Sequence, residues 1–93
     1  MKRLEIISVR TSGDSEQQAY MYMRTFCREV KEPLLLGASL YNNTAAPGDL
    51  AVILTWQAAP PTEKKTDVGF CLANALKRFG LVDHVFWIAI ENR

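Results

Sequence analysis

At 93 residues the chain is long enough for one domain and too short for two, and a chain of this size hides about 60–65% of its unfolded surface on folding. Hydrophobic residues make up 48% and charged residues 23%, a globular composition that excludes a disordered tail. Eleven lysines and arginines against ten acids leave a net charge of +1, which excludes the strong basic field of a phosphate-backbone binder, so nucleic acid is not an expected partner.

Leu4 to Thr11 is rich in β-branched residues, with Leu4 and Ile6 on one side and Ile7 and Val9 on the other, and reads as the first strand. The turn Ser12-Gly13-Asp14-Ser15 leads into a helix that Asp14 or Ser15 is expected to cap, with Gln17 or Gln18 as the reciprocal partner. Ala19, Tyr22, Met23, Phe26, Cys27 and Val30 form one apolar stripe on this helix, and Pro33 stops it. Leu34 to Tyr41 is a second strand in which Gly37 marks either a bulge or a close backbone approach. A turn-rich segment, Asn42 to Asp49, joins it to a third strand, Leu50 to Gln57, as a hairpin. Ala58 to Lys65, with two prolines and three charges, reads as an exposed connection. Thr66 or Asp67 then caps a second helix with the stripe Val68, Cys71, Leu72, Ala75, Leu76 and Phe79, ended by a left-handed cap at Gly80. His84 to Glu91 is expected as the fourth strand.

The order β-α-β-β-α-β over residues 1–93 predicts an α+β, ferredoxin-like domain: a four-stranded antiparallel sheet with two helices on one face. An antiparallel sheet with one face in water alternates apolar and polar residues. Here Leu50, Val52, Leu54 and Trp56 share one parity and Ala51 and Ile53 the other, while Val85 and Trp87 oppose Phe86, Ile88 and Ile90. Both faces call for burial. Leaving four or five such side chains in water, at about 1.5–3 kcal/mol each, forgoes an amount comparable to the whole stability of a small domain. The expected partner is a second copy, joined through the open sheet face about a twofold axis.

Two cysteines, Cys27 and Cys71, are too few for a disulfide framework and fit a reducing compartment. With no export signal in the first residues and no run of about 20 apolar residues, the expectation is a cytoplasmic protein without a membrane partner. One histidine and two distant cysteines have no metal-ligand spacing and no Gly-rich phosphate loop appears, so neither a metal nor a cofactor is expected.

The segment Tyr41-Asn42-Asn43-Thr44-Ala45-Ala46-Pro47-Gly48-Asp49-Leu50-Ala51-Val52-Ile53-Leu54-Thr55-Trp56, a polar Pro-Gly turn leading into an apolar strand that ends in Trp, resembles the strand-turn-strand of the antibiotic-biosynthesis-monooxygenase-like branch of the dimeric α/β-barrel superfamily. The order of elements over nearly the whole chain is similar as well. The resemblance implies two subunits facing their sheets together into a barrel. It also implies a cavity in each subunit between sheet and helices, where some members oxidise aromatic polyketides without metal or flavin and others degrade haem. Ser8 stands where haem-degrading members carry Asn, and the second helix has no His, so haem degradation is disfavoured.

Five residues are candidates for a ligand site. Trp56 either walls the cavity or packs against the second helix. His84, beside Asp83, is either part of an acid–base pair or a surface or interface histidine, the second being favoured because consecutive strand residues point to opposite faces. Arg10, two residues past Ser8 on the same parity, offers a cation to a phenolate or carboxylate, or is a solvated strand-end charge. Ser8 and Tyr22 offer hydrogen bonds, although the Tyr22 stripe also reads as core. Two functions follow: a cofactor-independent monooxygenase acting on an ionisable aromatic molecule, or a non-catalytic dimer that binds a metabolite or a protein.

Overall fold

Six elements are laid out in a computed structural model that describes residues 2–57, 66–91 and 93: β1 (Lys2–Thr11), α1 (Ser15–Glu29), β2 (Leu35–Asn42), β3 (Asp49–Gln57), α2 (Asp67–Leu76) and β4 (Gly80–Ile88). The expected connection over 58–65 lies outside the described residues. The four strands form one sheet in the order β2-β3-β1-β4, and every neighbouring pair is antiparallel. This is the expected ferredoxin-like arrangement.

The strands present one parity to the helices. Ile7 and Val9 of β1 and Leu50, Val52, Leu54 and Trp56 of β3 are buried with Ala19 and Met23 of α1 and Leu72, Ala73 and Leu76 of α2. On the opposite face Leu4, Ile6, Ile53 and Val85 are half-buried, and Trp87 is 62% exposed. The hairpin of β2 and β3 forms as expected, and its register shifts between Leu35 and Gly37, so of the two readings of this glycine the bulge holds and the close approach does not.

The two helix starts differ for a backbone reason. Asp14 at the start of α1 has φ −87° and ψ 11°, outside the extended region a side-chain cap requires, and neither it nor the expected glutamine partner makes a capping bond. Thr66 has φ −79° and ψ 157° and accepts the Gly69 N–H at 3.0 Å, so this expected cap is formed.

β4 begins four residues earlier than its apolar run suggests. α2 ends at Leu76 in a right-handed turn, and Gly80 is not a left-handed cap but the first residue of β4, paired with Thr11. A Cβ at Gly80 would run into the Arg10 carbonyl, so the residue is glycine because the strands approach closely there. His84 consequently sits in the middle of the strand, opposite Ile7.

α2 is also rotated from its expected stripe. Gly69, Leu72, Ala73 and Leu76 face the sheet, and Cys71, expected on the buried face, is exposed. Burial pushes the Cys27 thiol up from its ordinary pKa, which disfavours the reactive thiolate. Labelling with a disulfide reagent at neutral pH is therefore expected to modify Cys71 first and Cys27 only slowly, a difference that mass spectrometry of the singly labelled protein checks.

Candidate functional site

β1 places a carboxylate where its neighbours place hydrocarbon. Arg3, Glu5, Ile7 and Val9 all point to the helix side, and Glu5 is wholly buried. A buried carboxylate is sustained only by hydrogen bonds, and Glu5 accepts four. Its Oε1 takes the Trp56 indole N–H at 3.1 Å and the Thr66 hydroxyl at 2.7 Å. Its Oε2 takes the Thr66 backbone N–H at 3.2 Å and the His84 Nε2–H at 2.6 Å. The donors come from β3, the cap of α2 and β4, so one side chain of β1 ties these three elements together. Four donors also use the full acceptor capacity of a carboxylate.

Thr66 is the pivot. Its hydroxyl donates to Glu5 and accepts from Gly69, which places the carboxylate at the positive end of α2. Gly69 permits this, because a Cβ there would fall on Glu5 Oε2.

Glu5 holds Nε2 of His84, which leaves Nδ1 as the ring nitrogen without a partner among the described residues, and the side chain is only 8% exposed. Asp83 takes no part in this pair: its carboxylate accepts the backbone N–H of His84 at 3.1 Å. Arg3, buried on the same face, lies with its guanidinium 5.5 Å from the centre of the Phe86 ring.

A groove of about 460 Å³ opens between α1 and α2, lined by Tyr22, Thr25, Phe26, Val30, Lys31 and Val68. Val68 stands between Thr66 and Gly69, so the first turn of α2 is at once a wall of the groove and the cover of Glu5. The volume is in the range of small-molecule sites, and the lining has their usual make-up of apolar side chains with a few polar ones.

Of the five expected site residues, the structure joins two, Trp56 and His84, through Glu5. Tyr22 lines the groove instead, with its ring 6.2 Å from Phe79 and Arg78 stacked over both rings. Ser8 and Arg10 lie on the opposite face of the sheet, around a shallow depression with Asp49 and Asp83, and Arg10 reaches Asp49 at 4.0 Å. Sequence reasoning missed Glu5 altogether and took Thr66 only as a helix cap. The parity of Glu5 with Ile7 and Val9 does not single it out, because Leu4 and Ile6 give the opposite side of the strand an equal claim to burial. Among the described residues no cluster of three His, Cys, Asp or Glu side chains is placed to hold a metal ion, and no helix is long and apolar enough to cross a membrane.

No family model and no curated protein matches the sequence. Solved structures do match the fold. A protein from Deinococcus radiodurans assigned as an antibiotic biosynthesis monooxygenase superposes with a TM-score of 0.76 at 12% identity, covering 98% of this chain and 95% of the other. A second assigned antibiotic biosynthesis monooxygenase, from Nitrosomonas europaea, gives 0.71 at 10% identity over 96% and 90% of the two chains. A point mutant of SnoaB, a cofactor-independent oxygenase from Streptomyces nogalater, gives 0.62 at 12% identity over 98% and 95%. The chain has the ferredoxin-like fold of the antibiotic biosynthesis monooxygenase-like proteins.

Proposed function

We propose that the protein is a homodimeric, cofactor-independent oxygenase that receives a small ionisable aromatic molecule on the helix side of its sheet and uses His84 as the base. The observation that carries this reading is the 2.6 Å contact between His84 Nε2 and the buried Glu5, which fixes the imidazole tautomer and leaves Nδ1 to take a proton. An anthrone-type substrate gives up a C–H proton to Nδ1, and the resulting anion passes one electron to dioxygen. The two radicals recombine as a peroxide at that carbon, and loss of water leaves a carbonyl. One oxygen atom enters the product and the other leaves as water, so the CH₂ group supplies all the electrons and no further reductant is required. The oxygenase activity of SnoaB on the same fold supports the reading.

The dimer is part of the same proposal. Leu4, Ile6, Ile53, Val85 and Trp87 make an apolar face that a second copy covers about a twofold axis. Ser8 and Arg10 then belong to the interface and not to the ligand.

One observation favours a second reading. Glu5 has all its acceptor sites filled, which suits a structural tie and a dimer that binds its ligand without turning it over. Oxygen consumption with an anthrone panel separates the two. The oxygenase reading expects protein-dependent uptake that falls by about 10²–10⁴-fold in His84→Gln, with circular dichroism unchanged. No uptake by the parent protein, or an equal rate in the variant, overturns it. Light scattering at micromolar concentration is expected to give a dimer, and a stable monomer overturns that part.

A further inference from the structure

A second groove, of about 730 Å³, runs along the other flank of α1, between that helix and β2, with Glu16, Tyr20 and Arg24 on one wall, Leu40 and Asn42 on the other and Leu50 at the base. β2 is an outer strand of the sheet. The Asn43 N–H bonds the Asp49 carbonyl at 2.9 Å in a register that pairs Asn42 with Leu50. By antiparallel alternation, Tyr41 and Ser39 therefore carry the bonds to β3, while Leu40 and Asn42 turn their N–H and C=O groups outward along the groove. Edge strands are normally guarded by charge or proline. The eight residues of β2, LLGASLYN, contain neither, whereas the other edge, β4, carries Asp83 and His84.

The helix wall has a matching period. Glu16, Tyr20 and Arg24 are spaced i, i+4, i+8, one line of side chains rising about 6 Å per step. Alternate side chains of an extended peptide recur every ~6.8 Å, so three of them meet the acid, the ring and the guanidinium in turn. Neither Glu16 nor Arg24 is ion-paired among the described residues. α1 leads from the end of β1 back to the start of β2 and so runs opposite to β2, which puts Glu16 beside Asn42 and Arg24 toward Ala38.

We propose that this groove binds an extended peptide, which adds to β2 as an antiparallel fifth strand with a basic side chain at Glu16, an apolar one on Tyr20 and Leu40, and an acidic one at Arg24. Main-chain bonds to Leu40 and Asn42 supply the pairing, and the alternate side chains supply the selection. The site shares no residue with the Glu5–His84 cluster and stands or falls independently of the oxygenase reading.

The probe is the peptide acetyl-Thr-Lys-Thr-Val-Thr-Glu-Thr-amide, titrated to millimolar concentration against ¹⁵N-labelled protein. Shift changes are expected at the Leu40 and Asn42 amides and along Glu16 to Arg24, with both strand amides gaining protection from exchange. The peptide with Lys and Glu exchanged is expected to bind about tenfold more weakly, equivalent to ~1.4 kcal/mol, and the double variant Glu16→Lys/Arg24→Glu is expected to reverse that preference. These side chains line an open groove, so folding of the variant is checked by an unchanged spectrum elsewhere. Absence of shifts at Leu40 and Asn42, or a preference that does not reverse, overturns the proposal. So does protection of these amides in the free protein that rises with its own concentration, which assigns the edge to a second copy.

Discussion

Glu5→Gln is expected to lower the unfolding free energy by about 1–3 kcal/mol, a sizeable part of the stability of a small domain. The substitution keeps the shape of the side chain and changes the hydrogen-bond inventory. Glu5 accepts from Trp56, twice from Thr66 and from His84, and donates to none. An amide has one acceptor oxygen, and its NH₂ faces groups that donate to the parent carboxylate. With its oxygen on Trp56 and the Thr66 hydroxyl, the NH₂ meets His84 Nε2, which accepts once the imidazole proton moves to Nδ1, and leaves the Thr66 backbone N–H opposite a donor at about 1–3 kcal/mol. Urea titration checks this as a lower midpoint with an unchanged slope. Glu5→Leu is expected to cost more, and Trp56→Phe to cost less in the Leu background than in the parent protein, because the donor it removes is already orphaned there. Additive costs in that cycle, or a Glu5→Gln penalty below about 1 kcal/mol, would mean that water reaches the cluster.

The importance of Glu5 also explains which parts of the site were legible in the sequence. Trp56 was legible because it shares the parity of Leu50, Val52 and Leu54, an unbroken apolar line that has to face the helices. Strand one carried no such asymmetry, with Leu4 and Ile6 on one side balanced by Ile7 and Val9 on the other. Its one distinguishing residue points the wrong way, since a charged side chain ordinarily marks the solvent face. Ser8 is a candidate through its place in the resemblance and Arg10 through sharing its parity, and the structure puts both on the face away from the helices. Only the partners of Glu5 resolve which side of the strand faces the helices, and they lie 51, 61 and 79 positions away, separations that no local periodicity reports. His84 was half legible: its chemistry marked it, but its place did not, because Gly80 reads equally well as the end of a helix and as a tight approach between strands. The order of the elements was legible because each boundary has a local cause, such as the Thr66 cap and the Gly37 bulge.

The same cluster reverses the usual sign of a glycine substitution. Gly69 lies inside α2, where glycine is ordinarily about 1 kcal/mol worse than alanine, so Gly69→Ala at an open position would stabilise the helix. Here the added Cβ falls on Oε2 of Glu5, with the carboxyl carbon 2.6 Å away and Oε1 3.0 Å away. A free side chain would swing aside. This one is held by four hydrogen bonds, so either those bonds lengthen or α2 lifts from the sheet, and both routes disturb the Thr66 cap. Gly69→Ala is therefore expected to destabilise the protein by about 2–4 kcal/mol, in the range of overpacked cores and disrupted buried networks. It is also expected to shift the fluorescence of Trp56, read in a Trp87→Phe background that removes the exposed indole. Gly37→Ala is the control, since a Cβ at the bulge meets nothing within 4 Å, and it is expected to be near neutral. The decisive variant is Glu5→Asp combined with Gly69→Ala. Shortening the carboxylate by one methylene withdraws it from the new methyl group, so the pair is expected to be less destabilised than the sum of its single changes. Strict additivity would show that the cost of Gly69→Ala arises in the helix and not at the carboxylate.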